Sequence, residues 1–324
     1  MPISKSNRDY IGSNSWLLKE VHGAKIFDGF ILFSFRMIYL GVRIFLRIIL
    51  GKGRRDRLYK QKGINFKDFL YGSLKLLGID KLVLLKFDVP KYGYKVYCPI
   101  NKEDLIVMSR HEDEIIDHFN TKQGDIVVDV GAHMGKYTII ASKRVGENGK
   151  VIAIEAHPGN YEMLNRNIKL NELTNVIPLN YAVYSKESKI KLYMPDEEFG
   201  YTMHHSIMFS YLSPKYSLKG KENEKFIEVN ANTLDNLLQK NEISREVNWI
   251  KIDVEGAEFE VLKGATEILS NSKDICLLIE VHNPYDTNHY KQIIDFLKYY
   301  NFKIQFEKIY ESGERHIIAR KINL

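Results

Sequence analysis

Four short stretches of this 324-residue chain place charged side chains where apolar runs end. The first is Asp129-Val-Gly131-Ala-His133-Met-Gly135, closing the run IVVDV. Gly131 permits a tight turn, and Gly135 lets the start of a following helix lie close to a ligand. Asp129 can receive charge-assisted hydrogen bonds from an ammonium group. The second is Glu155, closing VIAIE 24 residues after Gly131. A carboxylate at that place can accept both hydroxyls of a ribose. The third is Lys251-Ile-Asp253-Val-Glu255-Gly256-Ala-Glu258, and the fourth is Glu280-Val-His282 at the end of another apolar run. In strand alternation Lys251, Asp253 and Glu255 share one face, against Ile250, Ile252 and Val254. If the two runs are neighbours, Asp253, Glu255, Glu280 and His282 surround one cleft. The plainer alternative is an ion-paired helix start, with Glu255 near the N-terminus of the next helix.

The elements that must position these residues alternate. Strands at 126–130, 151–155, 175–179, 248–254 and 275–281 are near-continuous apolar runs, with helices expected near 135–145, 158–172, 256–270 and 286–300. Such a pattern predicts a parallel sheet covered on both faces. Two closing strands, 302–310 and 315–322, are joined by a turn too short for a crossover, so they must be antiparallel. A helix at 64–78, strands at 82–88 and 93–98 around a Pro-Lys-Tyr-Gly turn, and a helix at 111–120 lead in, and a further strand is expected at 188–194. The fold expected is α/β: a Rossmann-like, mostly parallel sheet ending in an antiparallel hairpin, with an N-terminal helical, basic-apolar appendage. That is the layout of S-adenosylmethionine (SAM) methyltransferases. A nicotinamide dinucleotide would want Gly-x-Gly-x-x-Gly for close pyrophosphate approach. Here His133 takes the middle position and the last spacing is wrong, which favours SAM.

DIVVDVGAHMGKYT, VIAIEAHPGNYEMLNRN, NYAV, VNANTLDNLL and WIKIDVEGAEFEVLKGA, in this order, resemble the FkbM family of SAM-dependent methyltransferases over about residues 110–285. The resemblance implies SAM as cofactor and O-methylation of a hydroxyl, often on a sugar or polyketide. It places Asp129, Gly131, His133, Gly135, Tyr137, Thr138, Glu155 and Ala182 in the cofactor site. The family usually has Asn where this chain has His133, and residues 1–90 lie outside the resemblance.

Methyl transfer from a sulfonium is an in-line displacement, so acceptor oxygen, methyl and sulfur must be aligned and the hydroxyl activated by a base or a metal ion. Asp253 and Glu255 lead as acceptor contact or base, with His282 next. Asp253, Glu280 and His282 can also be drawn around a divalent cation, but no spacing rule demands it, and the sequence alone assigns no metal. Residues 195–225 interrupt the strand pattern and carry Tyr201, His204, His205, Tyr211 and Tyr216, an expected substrate lid or else a passive loop. A non-catalytic SAM-binding protein at a membrane surface is the second class of function, but it has no need of charges at 253, 255, 280 and 282. A nicotinamide-dependent oxidoreductase is the third.

Composition narrows the field. With 44% hydrophobic and 27% charged residues the chain is globular rather than disordered. Cys98 and Cys276 are too few for a disulfide framework or a cysteine zinc site and read as core thiols of a reducing compartment. Residues 1–100 hold 19 Lys and Arg against 7 Asp and Glu, and the remainder 28 against 34. The acidic body argues against a nucleic-acid partner. The first 25 residues contain no signal-like apolar core. Residues 26–50 are apolar, but Arg36, Arg43 and Arg47 interrupt them, and a spanning helix needs roughly 20 apolar residues. On a helix those arginines align with Lys25 along one narrow stripe, ahead of Lys52, Arg54, Arg55, Arg57, Lys60 and Lys62. That pattern suits an interfacial helix on an anionic leaflet through residues 25–62. It also suits a helix buried on protein or on a second copy in a homo-oligomer, and a span stays the remaining alternative. The expected parts are a basic amphipathic segment at 1–62, a lead-in at 63–110 and a methyltransferase domain at 111–324. The expected location is cytoplasmic, peripheral on the inner face of the membrane.

Overall fold

The computed structural model describes residues 84–99, 112–193, 226–243, 246–282, 287–311 and 313–322. The chain divides into two compact units, Met1–Asn101 and Lys102–Leu324. The expectations for the 1–62 segment, for a helix at 64–78 and for a lid at 195–225 fall outside the described residues. Among the described residues, no helix is long and apolar enough to cross a membrane.

In the first unit, β1 (Leu84–Val89) and β2 (Tyr94–Pro99) form an antiparallel hairpin. Pro90 opens the 3-10 turn between them, and Gly93 closes it at φ 65° with its N–H on the Val89 carbonyl. Tyr94, Val96 and Cys98 are buried in period-two alternation, the mark of a strand with one covered face.

The second unit begins with α1 (Asp113–His118), then alternates strand and helix: β3 (Ile126–Val130), α2 (Lys136–Val145), β4 (Lys150–Ile154), α3 (Pro158–Leu170) and β5 (Val176–Leu179). Every residue of β3 is buried, as expected of a strand covered on both faces. Pro158 stands first in α3, and the His157 side chain caps it by accepting from the Asn160 N–H. A small second sheet follows: β6 (Ala182–Val183), β7 (Ser188–Tyr193) and β8 (Phe226–Asn232), in the order β6-β8-β7. Then come α4 (Leu234–Lys240), β9 (Trp249–Ile252), α5 (Glu258–Lys263), α6 (Thr266–Asn271), β10 (Cys276–Val281), α7 (Thr287–Tyr299), β11 (Phe302–Ile309) and β12 (Arg315–Lys321).

The main sheet has seven strands in the order β11-β12-β10-β9-β3-β4-β5. The five from β10 to β5 run parallel, and β12 is antiparallel to both β10 and β11. This is the expected mostly parallel sheet with its antiparallel hairpin. From β3 the chain moves outward through β4 and β5, then returns to lay β9 and β10 on the other side. The order reverses between β3 and β9, where open sheets of this kind hold their ligands. Register puts Asp129 beside Lys251 and Glu280 beside His316.

Two elements differ from the sequence expectation. The helix expected over 256–270 is two helices, α5 and α6, separated at Gly264-Ala265. A Cβ at 264 would collide with the backbone carbonyl of Tyr184, so glycine there lets the chain pass close beside the small sheet. Asp235 of α4 then starts α6, accepting from the Glu267 and Ile268 N–H groups at 2.9 and 3.0 Å. Helix α4 itself was not expected. Thr233 caps it by accepting from the Asn236 N–H. Leu234, Leu237 and Leu238 sink into the core beside Val261, Leu262 and Leu269.

Candidate active site

The turn after β3 is built around Gly131. Its φ is 75°, and a Cβ there would strike the backbone carbonyl of Asp253, so the ends of β3 and β9 meet without side-chain spacing. Lys251 ties the two ends together. Its Nζ donates to the Gly131 carbonyl at 2.8 Å and stands 3.0 Å from Asp253 Oδ2 and 3.4 Å from Asp129 Oδ1. Asp129 is 1% exposed, and its Oδ2 accepts from the Thr138 hydroxyl at 2.6 Å. Thr138 therefore orients Asp129. The carboxylates beside Lys251 outweigh its burial and hold its ammonium above the ordinary lysine range.

Glu155, at the end of β4, bridges two turns. Its Oε2 accepts the His133 N–H at 2.8 Å and its Oε1 the His157 N–H at 2.9 Å. Burial raises its carboxyl above the usual range despite these bonds. His133 sits at φ 52°, a left-handed conformation that Asn adopts readily and His less so. Backbone strain of this kind is common at functional sites. Gly135 is the N-cap of α2. Ala182 lies in β6, within a small apolar cluster with Leu192, Val229 and Ala231, against which Ala156, next to Glu155, packs. Carboxylates that close two adjacent strands, with a glycine turn between them, are an acceptor set that fits an ammonium and a ribose diol, the two polar ends of SAM.

The ends of β9 and β10 carry a denser group. Glu258, fully buried in the first turn of α5, accepts from the Gly256 N–H at 2.9 Å. It also bonds His282 Nδ1 at 2.8 Å and His289 Nε2 at 2.9 Å. Burial alone would raise its carboxyl, but these two imidazoles hold it at about 2. Burial alone would lower His282, but Glu255, Glu280 and Glu258 hold it well above the ordinary histidine value. The other nitrogen of His282, Nε2, faces three carboxylates: Glu280 at 3.5 Å, Glu255 at 3.8 Å and Asp253 at 3.9 Å. Asp253 is the most open of the group, its side chain 28% exposed against 14% for Glu255 and 4% for His282. Burial, opposed by Lys251, pushes the Asp253 carboxyl up to about 7. Glu255 sits at φ 53°, so the turns after β3 and after β9 each carry a strained non-glycine residue, at 133 and 255.

A second ring backs this one. His316 Nε2 lies 3.2 Å from both Glu280 Oε2 and Glu112 Oε1, and Lys136 Nζ donates to Glu112 Oε2 at 3.2 Å. Burial alone would lower His316, but Glu280 and Glu112 lift it to about 10. Tyr137 is buried, with its ring edge-on to Phe119 and the Lys251 ammonium 5.4 Å from its centroid. Its hydroxyl finds no hydrogen-bond partner among the described residues. Burial and then the charges of Glu112, Glu280 and Asp253 raise it well above the ordinary tyrosine value, so the phenol stays neutral.

The structure thus gathers Asp129, Gly131, His133, Gly135, Tyr137, Thr138 and Glu155 around the β3 and β4 ends, and Asp253, Glu255, Glu280 and His282 around the β9 and β10 ends. The sequence reading gave no role to Glu258, His289, Glu112 or His316. Glu258 stood inside a motif already singled out. His316 could have been found as the polar residue at a buried position in RHIIAR, and it faces Glu280 on the neighbouring strand β10.

Comparison with known proteins identifies the family. The model of the methyltransferase FkbM domain matches residues 129–304, and that of protein-L-isoaspartate(D-aspartate) O-methyltransferase matches residues 59–183. The chain is 29% identical over 171 residues to methyltransferase sdnD of Sordaria araneosa, covering 48% of this chain and 66% of sdnD. It is 27% identical over 202 residues to the hexuronic acid methyltransferase AglP of Haloferax volcanii, covering 62% of this chain and 73% of AglP. The chain thus spans just under two thirds of the length of sdnD. A crystal structure of methyltransferase FkbM from Methylobacillus flagellatus superposes with a TM-score of 0.41 at 15% identity, covering 63% of this chain and 45% of that one. Matched by its model over more than half of its length, the chain belongs to the FkbM methyltransferase family and is a methyltransferase that uses S-adenosylmethionine.

Proposed function

We propose that this methyltransferase methylates a hydroxyl oxygen on a sugar or glycan. SAM supplies an electrophilic methyl group on a sulfonium. Asp129 receives its ammonium, Glu155 its ribose hydroxyls, and the 131–135 turn lies along it, with His133, Tyr137, Thr138 and Ala182 completing the site. Asp253 and Glu255 face the acceptor, position its hydroxyl and accept its proton, and His282 supports them through Glu280 and Glu258. The single observation behind this reading is that Asp253, the most exposed carboxylate of a buried acidic group, stands at the switch point beside Lys251 and the β3 turn. The name of AglP, a hexuronic acid methyltransferase, favours a sugar acceptor.

The basic, apolar residues 25–62 extend the proposal to a lipid-linked glycan, with the enzyme peripheral on an anionic membrane surface. Labelled SAM incubated with free and lipid-linked glycan fractions tests the acceptor. Methyl incorporation that is stable to mild base and recovered as an O-methyl sugar after hydrolysis indicates an ether, and incorporation only into carboxyls or nitrogen would overturn the hydroxyl reading. Full-length protein should sediment with anionic vesicles and be released in part by salt. Equal sedimentation with neutral vesicles would remove the electrostatic part of the membrane reading.

A further inference from the structure

We infer that Asp253, Glu280 and His282 hold one divalent cation of the Mg²⁺ or Mn²⁺ class. The inference deepens the acceptor reading above and rests on it. One donor atom from each of these three residues lies within 4.8 Å of the others. Donors at about 2.1 Å from an ion stand about 3.0 Å apart when adjacent and about 4.2 Å apart when opposite. The separations of His282 Nε2 from Glu280 and Asp253, 3.5 and 3.9 Å, fall between those values. They are longer than N–H···O hydrogen bonds, which centre near 2.9 Å. The side chains therefore surround a gap of ionic size rather than close on one another.

The imidazole is already oriented for ligation. Its Nδ1 is fixed on Glu258 at 2.8 Å, which aims Nε2 at the gap, and Glu258 is itself locked by His289 and the Gly256 N–H. A carboxylate behind a ligating histidine is the usual support of a metal site. An independent sign comes from Tyr137. Its hydroxyl is buried, lacks a partner among the described residues, and lies within the field of Glu112, Glu280 and Asp253. A water on the cation would give it one.

The neighbouring group of Glu112, Glu280 and His316 also gathers three donors. There, however, His316 Nε2 is within 3.2 Å of both carboxylates and closes on them directly, whereas Lys251 on Asp253 Oδ2 leaves Oδ1 facing His282 across the wider gap. Two carboxylates with one imidazole suit a hard ion that tolerates nitrogen, Mn²⁺ more than Mg²⁺. Three protein ligands leave positions open toward the exposed side of Asp253, where an acceptor hydroxyl would be polarised. Asp253 would then act through the cation, and Glu255 would take the proton.

The test is Mn²⁺ titration of the full-length protein, following the loss of the free-ion EPR signal. One Mn²⁺ per chain is expected, with electron spin-echo modulation from a directly bound ¹⁴N. Asp253→Asn and His282→Gln should each weaken binding at least tenfold, with SAM binding by calorimetry as the check that each variant is folded. Absence of binding, or binding without the nitrogen signature, would overturn the assignment, and the signature is read on the unsubstituted protein. If Glu112→Gln abolishes binding while His282→Gln does not, the ion belongs to the neighbouring group and the assignment is wrong. Methyl transfer to a hydroxyl that persists undiminished in EDTA refutes the cation alone. A bound Mn²⁺ with no hydroxyl methylation in any glycan fraction refutes the acceptor reading alone.

Discussion

The β3–β4 ends and the β9–β10 ends both present buried carboxylates, but they hold them by different means. Glu155 is gripped by two backbone N–H groups, and Asp129 by a hydroxyl and one ammonium. Backbone donors belong to turns that cannot move without unravelling the sheet, so that side is a fixed mould. On the other side Asp253, Glu255 and Glu280 face a shared imidazole at distances too long for good hydrogen bonds. Asp253 and Glu280 are paired instead with the side chains of Lys251 and His316, partners that can be exchanged without moving the backbone. A rigid side suits a cofactor that is the same in every cycle. A side with spare bonding capacity suits an acceptor that arrives with a proton and leaves without it.

That contrast makes predictions of graded size. Asp253→Asn should lower methyl transfer by roughly 10²–10⁴-fold while SAM affinity changes by less than about threefold. A parallel loss of SAM affinity by calorimetry would mean the two sides are not separate. Glu258→Gln removes the charge that two histidines share in a fully buried place. Breaking such a group costs about 3–5 kcal/mol, to be read as a lower urea midpoint. A midpoint within error of the parent would show the histidines finding other partners. Glu155→Ala should weaken SAM tenfold or more, since losing a charged acceptor costs about 1.5–3 kcal/mol. Unchanged affinity in a folded variant would take Glu155 out of the site. The smallest effect belongs to neither side. Arg166→Ala removes the exposed pair with Glu162 in α3 and should shift stability by no more than about 0.5 kcal/mol, calibrating the other three.

The donor side was legible because Asp129 and Glu155 each close an apolar strand, and strand ends of a parallel sheet are where ligands go. Asp253, Glu255, Glu280 and His282 were legible for the same reason. Glu258 was in view without a role, because an acidic residue in the first turn of a helix is commonplace and only its burial sets it apart. His289 sits on a helix and Glu112 just before one, and nothing in local sequence aims either at the site. The helix break at Gly264 left no trace in the apolar periodicity, since Phe259, Val261, Leu262, Ala265, Ile268 and Leu269 continue the stripe across it. Its cause is the distant Tyr184 carbonyl, a tertiary contact that no window of sequence contains.

The closing hairpin sets where the enzyme can be cut and rejoined. Strand β12 lies between β10 and β11 in the sheet, and it carries the imidazole that sits on Glu280. The segment shared with the family, residues 129–304, stops inside β11 and starts after Glu112. A chimera that exchanges only that segment would inherit Glu280 but take His316 and Glu112 from a host that never evolved beside it. It would also ask a foreign strand to slide between two of its own. Acceptor specificity should therefore travel between relatives as the block from Glu112 through β12, and shorter transplants should fail at the seam before chemistry is ever tried.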